Sequence, residues 1–110
     1  MKRILLLATL STFSLAIGAR AADLTANWET HCASCHGKDG KGATKAGRTA
    51  GVKDFTDAAY QKSFTDEKAF DAAKVGIKDD KGKEKMKSFA EKLSDDEIKA
   101  LVGFVRTLGK

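Results

Sequence analysis

With 110 residues, of which 32% are charged and 42% hydrophobic, the chain has the length and composition of one small domain. Its formal net charge is +5, but Lys2, Arg3 and Arg20 lie in the first 21 residues, which hold no acidic residue. Without that segment the charge falls from +5 to +2. This excess is too small for the concentrated basic face that nucleic-acid binding needs, so no nucleic-acid partner is expected.

The N-terminal segment has the three parts of a secretory signal peptide. Lys2 and Arg3 form a basic start, residues 4–17 are an apolar run broken only by Thr and Ser, and residues 19–21 fit the small-x-small cleavage pattern. The run has 14 residues, whereas a membrane span needs about 20. We therefore predict a signal peptide over 1–21 and one domain over 22–110, exported to the periplasm with no stable membrane span. An uncleaved N-terminal anchor is the alternative.

The first helix of this domain is predicted from four residues at helical spacing, which are Leu24, Trp28, His31 and Cys35. It is expected to begin near Asp23 or Leu24 and to run into residues 32–36. Glycines at positions 37, 40, 42 and 47 then indicate a long loop.

Two helices in the middle of the chain are indicated by their capping residues. A short one is expected to begin at Thr56 or Asp57 and to reach Tyr60. A longer one has Thr65 as its N-cap, acidic residues in its first turn and Gly76 just beyond its end.

The last helix has the clearest signals in the chain. Ser94 and Glu97 form a capping box, an apolar stripe follows, and Gly109 ends the helix. The lysine-rich segment 79–87 before it is expected to be a loop. No long apolar strand pattern appears, so the predicted fold class is all-α, with three or four helices. Two loops are too long for plain connectors, which suggests that they wrap a large prosthetic group.

Cys32-Ala33-Ser34-Cys35-His36 is a C-x-x-C-H sequence, the signature of c-type haem attachment. Two thiols three residues apart can add to the two vinyl groups of one haem and form two thioether bonds. The histidine that follows is then held beside the ring, where an imidazole nitrogen can bind the iron.

Three other interpretations of the two cysteines compete with haem attachment. A tetrahedral zinc site needs four ligands, but every Cys and His of the chain lies between positions 31 and 36. A thioredoxin-like dithiol needs a preceding strand in a βαβ unit, which the sequence does not indicate. A structural disulfide would close only a tiny loop and would leave His36 unexplained.

On these residues the chain resembles the class I, single-haem cytochromes c of the bacterial periplasmic type. The resemblance covers the whole mature chain: Trp28, the segment 32–42, Met86 with Phe89, and the final helix from 93 to 106. It implies a small cytochrome c fold wrapped around one covalent haem with its iron. It also implies a monomeric electron-transfer protein, not an enzyme, that carries one electron at a time between redox proteins.

A sixth ligand to the iron is expected at Met86, the only methionine after the signal peptide. It lies 50 residues beyond His36, between two lysines rather than on an apolar helix stripe, and the family places its methionine ligand in the same region. A core methionine is the alternative. His31 competes as a ligand, but it lies on the helix that holds the other side of the haem.

Several supporting residues are also expected around the haem. The family often has a basic residue after the attachment motif, which makes Arg48 a candidate for binding a haem propionate. The chain has no proline, so a carbonyl between positions 43 and 47 is expected to orient His36 instead of the family's proline carbonyl. The expected pocket draws on Trp28, Phe55, Phe70, Phe89, Leu93, Leu101 and Phe104.

The charges on both sides of the two ligands suggest a docking surface. Segment 38–48 has four basic residues against one acidic residue, and segment 78–87 has five against three. We expect them to form a basic ring that attracts redox partners with acidic docking surfaces. A solvated lysine surface is the plainer interpretation.

Three alternatives to a mobile carrier remain at this point. An open-site haem protein, such as a gas sensor or a peroxidase-like enzyme, would leave Met86 unbound. A cofactor-free exported disulfide module would have no haem, and a fixed subunit of a larger oxidase or dehydrogenase would not be mobile.

Overall fold

The computed structural model describes residues 20–109. It begins with one continuous helical run made of α1 (Arg20–Asn27), a five-residue π-helix (Trp28–Cys32) and α2 (Ala33–His36). The predicted helix into the C-x-x-C-H segment is therefore confirmed, although it begins before Asp23 and contains a π turn. The predicted signal peptide lies outside the described residues except for its last two positions, and the boundary after residue 21 stays a prediction.

Four more helices follow, α3 (Lys45–Ala50), α4 (Ala58–Gln61), α5 (Asp66–Val75) and α6 (Asp95–Leu108). The predicted caps are confirmed: Asp57, Thr65 and Ser94 each accept a backbone N–H bond, and Glu97 completes the capping box. Helix α3 corrects the expectation of an unbroken loop after position 37. Thr44 caps it, and Gly47 lies inside it rather than in a turn.

The lysine-rich segment 79–87 is not wholly a loop, which corrects a second expectation. Strand β1 (Ile77–Lys78) pairs antiparallel with β2 (Glu84–Met86), with Ile77 opposite Met86 and an irregular register between the two pairs. The Asp79 carboxylate accepts the backbone N–H groups of Lys81 and Lys83 and so closes the turn. Apart from this short hairpin the regular secondary structure of the described residues is helical, and the all-α fold class is confirmed.

The core forms where the first helical run meets α6. Its buried residues are Trp28, Phe89, Leu93, Ile98, Leu101 and Val105. Ile98 is fully buried, and Asn27 of α1 donates a 2.8 Å bond to the Glu97 carboxylate of α6. Helix α5 packs on α6 from another side. Between positions 20 and 109, no helix combines the length and the apolar character that crossing a bilayer requires.

Candidate haem site

A cavity of about 270 Å³ lies between α2, α5, α6 and the β1–β2 hairpin. Cys32, His36 and Met86 all line it, so three of the predicted site residues meet at one place. The rest of its wall is mainly apolar, with Trp28, Phe55, Phe64, Phe89, Leu93, Ile98 and Leu101 among its residues. The half-buried Cys35 and the exposed Arg48 are not among the lining residues.

His36 ends α2 and is placed by aromatic neighbours. Its ring is stacked on Phe55, with 4.9 Å between centroids and 19° between planes, and Trp28 lies 5.9 Å away at 36°. Burial lowers the pKa of the imidazole, which favours the neutral ring that binds metals. Its Nδ1 is buried and has no hydrogen-bond partner within the described residues, so the expected carbonyl between positions 43 and 47 does not accept a bond from it.

The attachment turn is held by the start of α3. The Thr44 hydroxyl donates to the Cys35 carbonyl at 2.7 Å and accepts from the Gly47 N–H at 2.8 Å. A Cβ at Gly47 would lie 2.3 Å from the Cys35 carbonyl oxygen, so only glycine allows this close approach. Trp28 Nε1 donates to the Gly37 carbonyl at 3.1 Å and fixes the other side of the turn.

Cys32 and Cys35 are free thiols in the structure. The pKa of the Cys32 thiol is raised to about 11, mainly by burial and further by the neighbouring Cys35. In the part of the chain that the structure describes, no three His, Cys, Asp or Glu side chains converge into a metal-binding group, which leaves the zinc interpretation without support.

Met86 approaches the cavity from the end of β2 and is half-buried. Its strand partner is Ile77, and a Cβ at Gly76 would lie 2.6 Å from the Met86 carbonyl oxygen. Just beyond, the Phe89 N–H donates to the Ala73 carbonyl at 2.9 Å, which ties the segment to α5. His31 is half-buried against Phe89, with ring centroids 5.7 Å apart, and does not line the cavity.

Two of the aromatic residues expected in the pocket lie elsewhere. Phe104 packs edge-on against Trp28 at 4.9 Å, behind the cavity wall. Phe70 lines an open groove between α5 and α6, with the Lys74 ammonium 5.6 Å from its ring. Both pack against the buried core, but neither lines the cavity.

Sequence reasoning missed several lining residues, among them Tyr60, Phe64, Lys68 and Ile77. Tyr60 and Phe64 pack on each other 5.3 Å apart, and among residues 20–109 Lys68 is the one Asp, Glu, Lys or Arg that lines the cavity. Aromatic spacing around the short α4 helix could have indicated Tyr60 and Phe64. Ile77 could be found only through its pairing with Met86, which no local pattern reveals.

A second, open pocket of about 550 Å³ lies beside the attachment turn. We call it the basic groove and define it by Ser34, Lys45, Lys83 and Lys85, since its lining has these three lysines against one acidic residue, Glu84. Ser34 lies between the two cysteines, whereas Lys83 and Lys85 precede Met86. The two predicted basic segments therefore meet at one surface.

The residues around the cavity fit a c-type haem. Cys32 offers a thiol, His36 a neutral imidazole and Met86 a thioether. The mainly apolar wall suits the porphyrin faces, and the open surface beside the attachment turn suits an exposed haem edge.

Comparisons with known proteins agree with this fit. The family model described as cytochrome c matches residues 21–109. The chain is 35% identical to the solved structure of the KustC0563 c-type cytochrome, covering 78% of this chain and 96% of that one with a TM-score of 0.67. A tyrosine-to-phenylalanine mutant of Kustc0563 matches at the same identity, over 78% of this chain and 98% of that one, with a TM-score of 0.66. No match is found among curated proteins.

Proposed function

This chain belongs to the cytochrome c family of haem-based electron-transfer proteins, and on that premise we propose that it is an exported carrier of single electrons in the periplasm. Its covalent c-type haem is attached through Cys32 and Cys35. His36 and Met86 would supply the two side-chain ligands of its iron. The carrier is a monomer that moves between redox proteins rather than a fixed subunit of one of them.

The observation that carries this proposal is the meeting of Cys32, His36 and Met86 on one mainly apolar cavity. Met86 lies 50 positions beyond His36, so their meeting at one cavity is a property of the fold and not of a local motif. A core methionine would need no place on the same cavity as an imidazole.

When bound, the haem supplies an iron that alternates between Fe(III) and Fe(II). The Met86 thioether is a soft ligand that favours Fe(II) and raises the reduction potential. The His36 imidazole is neutral because burial lowers its pKa, so it can donate a nitrogen lone pair near neutral pH. The apolar wall excludes water and disfavours the more highly charged oxidation state, which raises the potential further.

If His36 and Met86 both bound the iron, no coordination site would be left for oxygen or a substrate. Electron exchange through an exposed edge is then the remaining chemistry, and no catalytic residue is assigned. Arg48 stays a candidate for contact with a haem propionate, although it does not line the cavity.

The spectrum of the holoprotein tests the axial ligands directly. We expect oxidised wild type to show the weak red-edge band of methionine bound to Fe(III). Met86→Ala should lose this band, lower the potential and bind cyanide or carbon monoxide readily. His31→Ala is the matched control and should keep the band. A wild type without the band that binds carbon monoxide at once would establish the open-site alternative instead.

Attachment and export are tested by chemistry on the purified protein. A pyridine haemochrome assay should give one haem per chain that remains with the protein after denaturation, and Cys32→Ala with Cys35→Ala should abolish this covalent retention. Mass spectrometry of periplasmic material should give a chain that begins at Ala22. Colourless protein from a host with haem-maturation machinery would refute the proposal and favour the disulfide module.

The basic groove is the proposed docking surface for acidic redox proteins. Lys45, Lys83 and Lys85 line it beside the attachment turn. Replacing all three by Gln should slow association with an acidic redox partner and flatten its dependence on ionic strength. The exposed lysines at positions 62, 92 and 99 provide a charge-matched control. If both triple variants slowed association equally, the basic groove would be an ordinary solvated surface and not a docking site.

A further inference from the structure

We propose that Phe55 sets the orientation of the His36 imidazole by stacking, and that Gln61 at the end of α4 and Arg106 on α6 hold Phe55 in place. The inference rests on the proposed function, because it concerns the histidine that binds the iron. It assigns positioning roles to three residues that lie outside the attachment motif.

The need for such a device follows from the environment of His36. A metal-binding histidine usually donates its second ring N–H to an acceptor, and that bond fixes the plane of the ring. Here the Nδ1 atom is buried without a partner among residues 20–109. The orientation of the ring must therefore come from packing.

Phe55 is the neighbour best placed to supply that packing. Its ring lies 4.9 Å from the imidazole and only 19° from parallel, whereas Trp28 is farther away and tilted. A flat ring against a flat ring resists rotation of the imidazole about its Cβ–Cγ bond. An aliphatic side chain of similar volume fills the space but presents no plane.

Phe55 is itself fixed by two backbone bonds. Its N–H donates to the Gly40 carbonyl at 2.9 Å. Its carbonyl accepts from Gln61 Nε2 at 2.7 Å, and the same amide nitrogen donates to the Val105 carbonyl at 2.8 Å. One side-chain amide thus connects the segment that bears Phe55 to helix α6.

Arg106 holds Gln61 in this position. Its guanidinium donates to the Gln61 carbonyl and side-chain oxygen, to the Phe64 carbonyl at 2.7 Å and to Asp66 Oδ1 at 2.7 Å. It also lies 4.3 Å from the centre of the Phe64 ring. A planar fork that serves several acceptors cannot be replaced by the single ammonium of lysine. The contacts therefore run from Arg106 through Gln61 and Phe55 to His36.

The test uses EPR of the oxidised holoprotein, because the g values of low-spin Fe(III) depend on the orientation of the axial imidazole. Phe55→Leu should shift and broaden the g values at unchanged haem content. It should also change the relative stability of the two oxidation states by up to about tenfold, which is ~59 mV for one electron. Phe55→Tyr keeps the ring and should retain the wild-type g values.

Phe70→Leu is the matched control, since Phe70 is half-buried but does not line the cavity. It should leave the g values unchanged even if it lowers stability. A shift of the same size in Phe70→Leu would reduce the effect of Phe55 to general loosening and would overturn the proposal.

A double-mutant cycle tests the role of Gln61. Gln61→Met should shift the g values in the wild-type background and add nothing in the Phe55→Leu background, because it acts through Phe55. Equal shifts in both backgrounds would refute this path. Unchanged g values in Phe55→Leu with His36 bound would overturn the positioning role alone, whereas a wild type without a bound histidine would overturn the proposed function as well.

Discussion

His36 and Met86 face the same cavity from walls that are built in different ways. The wall behind His36 is helical: Trp28 is only 4% exposed and bonds to Gly37, and Thr44 bonds to Cys35. Met86 instead lies at the end of the β1–β2 hairpin, opposite the 46% exposed Ile77.

The difference concerns how each ligand is coupled to the rest of the fold. Several independent contacts position His36, and they involve the same core that joins the first helical run to α6. Few contacts hold the hairpin, and much of it is exposed to solvent. A region with few buried contacts opens locally at a lower free energy than global unfolding. We therefore expect the Met86 side to open first and the His36 side to unfold only with the whole domain.

The largest predicted effect is a loss of stability from a substitution on the His36 side. Trp28→Ala should lower the free energy of unfolding by about 3–5 kcal/mol, because it removes a buried aromatic core residue. Ile77→Ala on the hairpin should cost less than about 1 kcal/mol, since its side chain is already partly exposed. Urea unfolding of the two holoproteins measures both values. Similar losses would remove the contrast between the two walls.

A smaller loss of stability is predicted for a substitution at Gly76, and it should be confined to the Met86 side. Gly76→Ala places a Cβ 2.6 Å from the Met86 carbonyl oxygen at a φ of +79°, which costs roughly 1–3 kcal/mol in backbone strain. The red-edge band should then disappear at a lower urea concentration than the helical signal. Gly82→Ala has the same φ with no atom within 4 Å, so it carries the backbone strain without the overlap and should separate the two transitions less than Gly76→Ala. A single cooperative transition in Gly76→Ala would contradict the local opening.

Removing the N-cap of α6 should lower the stability by a smaller amount still, and it should affect the His36 side only. Ser94→Ala removes the bond that its hydroxyl accepts from the Glu97 N–H, at a cost of about 1 kcal/mol in the free energy of unfolding. The red-edge band and helicity should still disappear together in this variant. Earlier loss of the band would show that α6 also controls the hairpin.

The pH dependence of this cap has a definite sign. Bonds from the Ser94 backbone and Asn27 lower the pKa of the Glu97 carboxyl in the folded state. A lowered pKa gives stability that is present above the unfolded pKa and is lost as the pH falls through the folded one. Wild type should therefore lose more thermal stability than Glu97→Gln between neutral pH and the pH at which Glu97 protonates. Parallel losses in both proteins would contradict this assignment.

The smallest predicted effect is a gain. Gly103 lies on the exposed side of α6, and a Cβ there meets no atom within 4 Å. Gly103→Ala should raise the free energy of unfolding by about 0.5–1 kcal/mol, because glycine is a poor helix former. Gly47→Ala, the same change beside the attachment turn, should destabilise instead, because its Cβ would overlap two backbone oxygens. Thermal unfolding of the Gly103→Ala and Gly47→Ala variants measures both effects.

The sequence predicted well what local chemistry determines. The caps at Asp57, Thr65 and Ser94 were found because each is a short polar side chain before a helical pattern. The two cysteines and His36 were recognised because the attachment chemistry demands contiguous residues.

What it missed depends on contacts between distant segments. The β1–β2 pairing brings two exposed, lysine-rich stretches together, and neither has a strand pattern of its own. Helix α3 was missed because Gly47 reads as a loop residue, although it is glycine for its approach to Cys35. Phe70 and Phe104 were placed in the pocket because apolar spacing identifies a buried face but does not say which neighbour that face meets.

The π-helix at Trp28–Cys32 places one extra residue in a turn, since the Ala33 N–H bonds back to the Trp28 carbonyl. Deleting Glu29 would let an ordinary α-helix form. Everything upstream would then rotate by about 100° relative to the haem-attachment residues, carrying Asn27 away from Glu97. Glu29 and Thr30 are exposed, so their chemical identity is free to vary. What matters in this stretch is therefore the number of residues. A relative that lacks one residue here would need a different contact between its first and last helices.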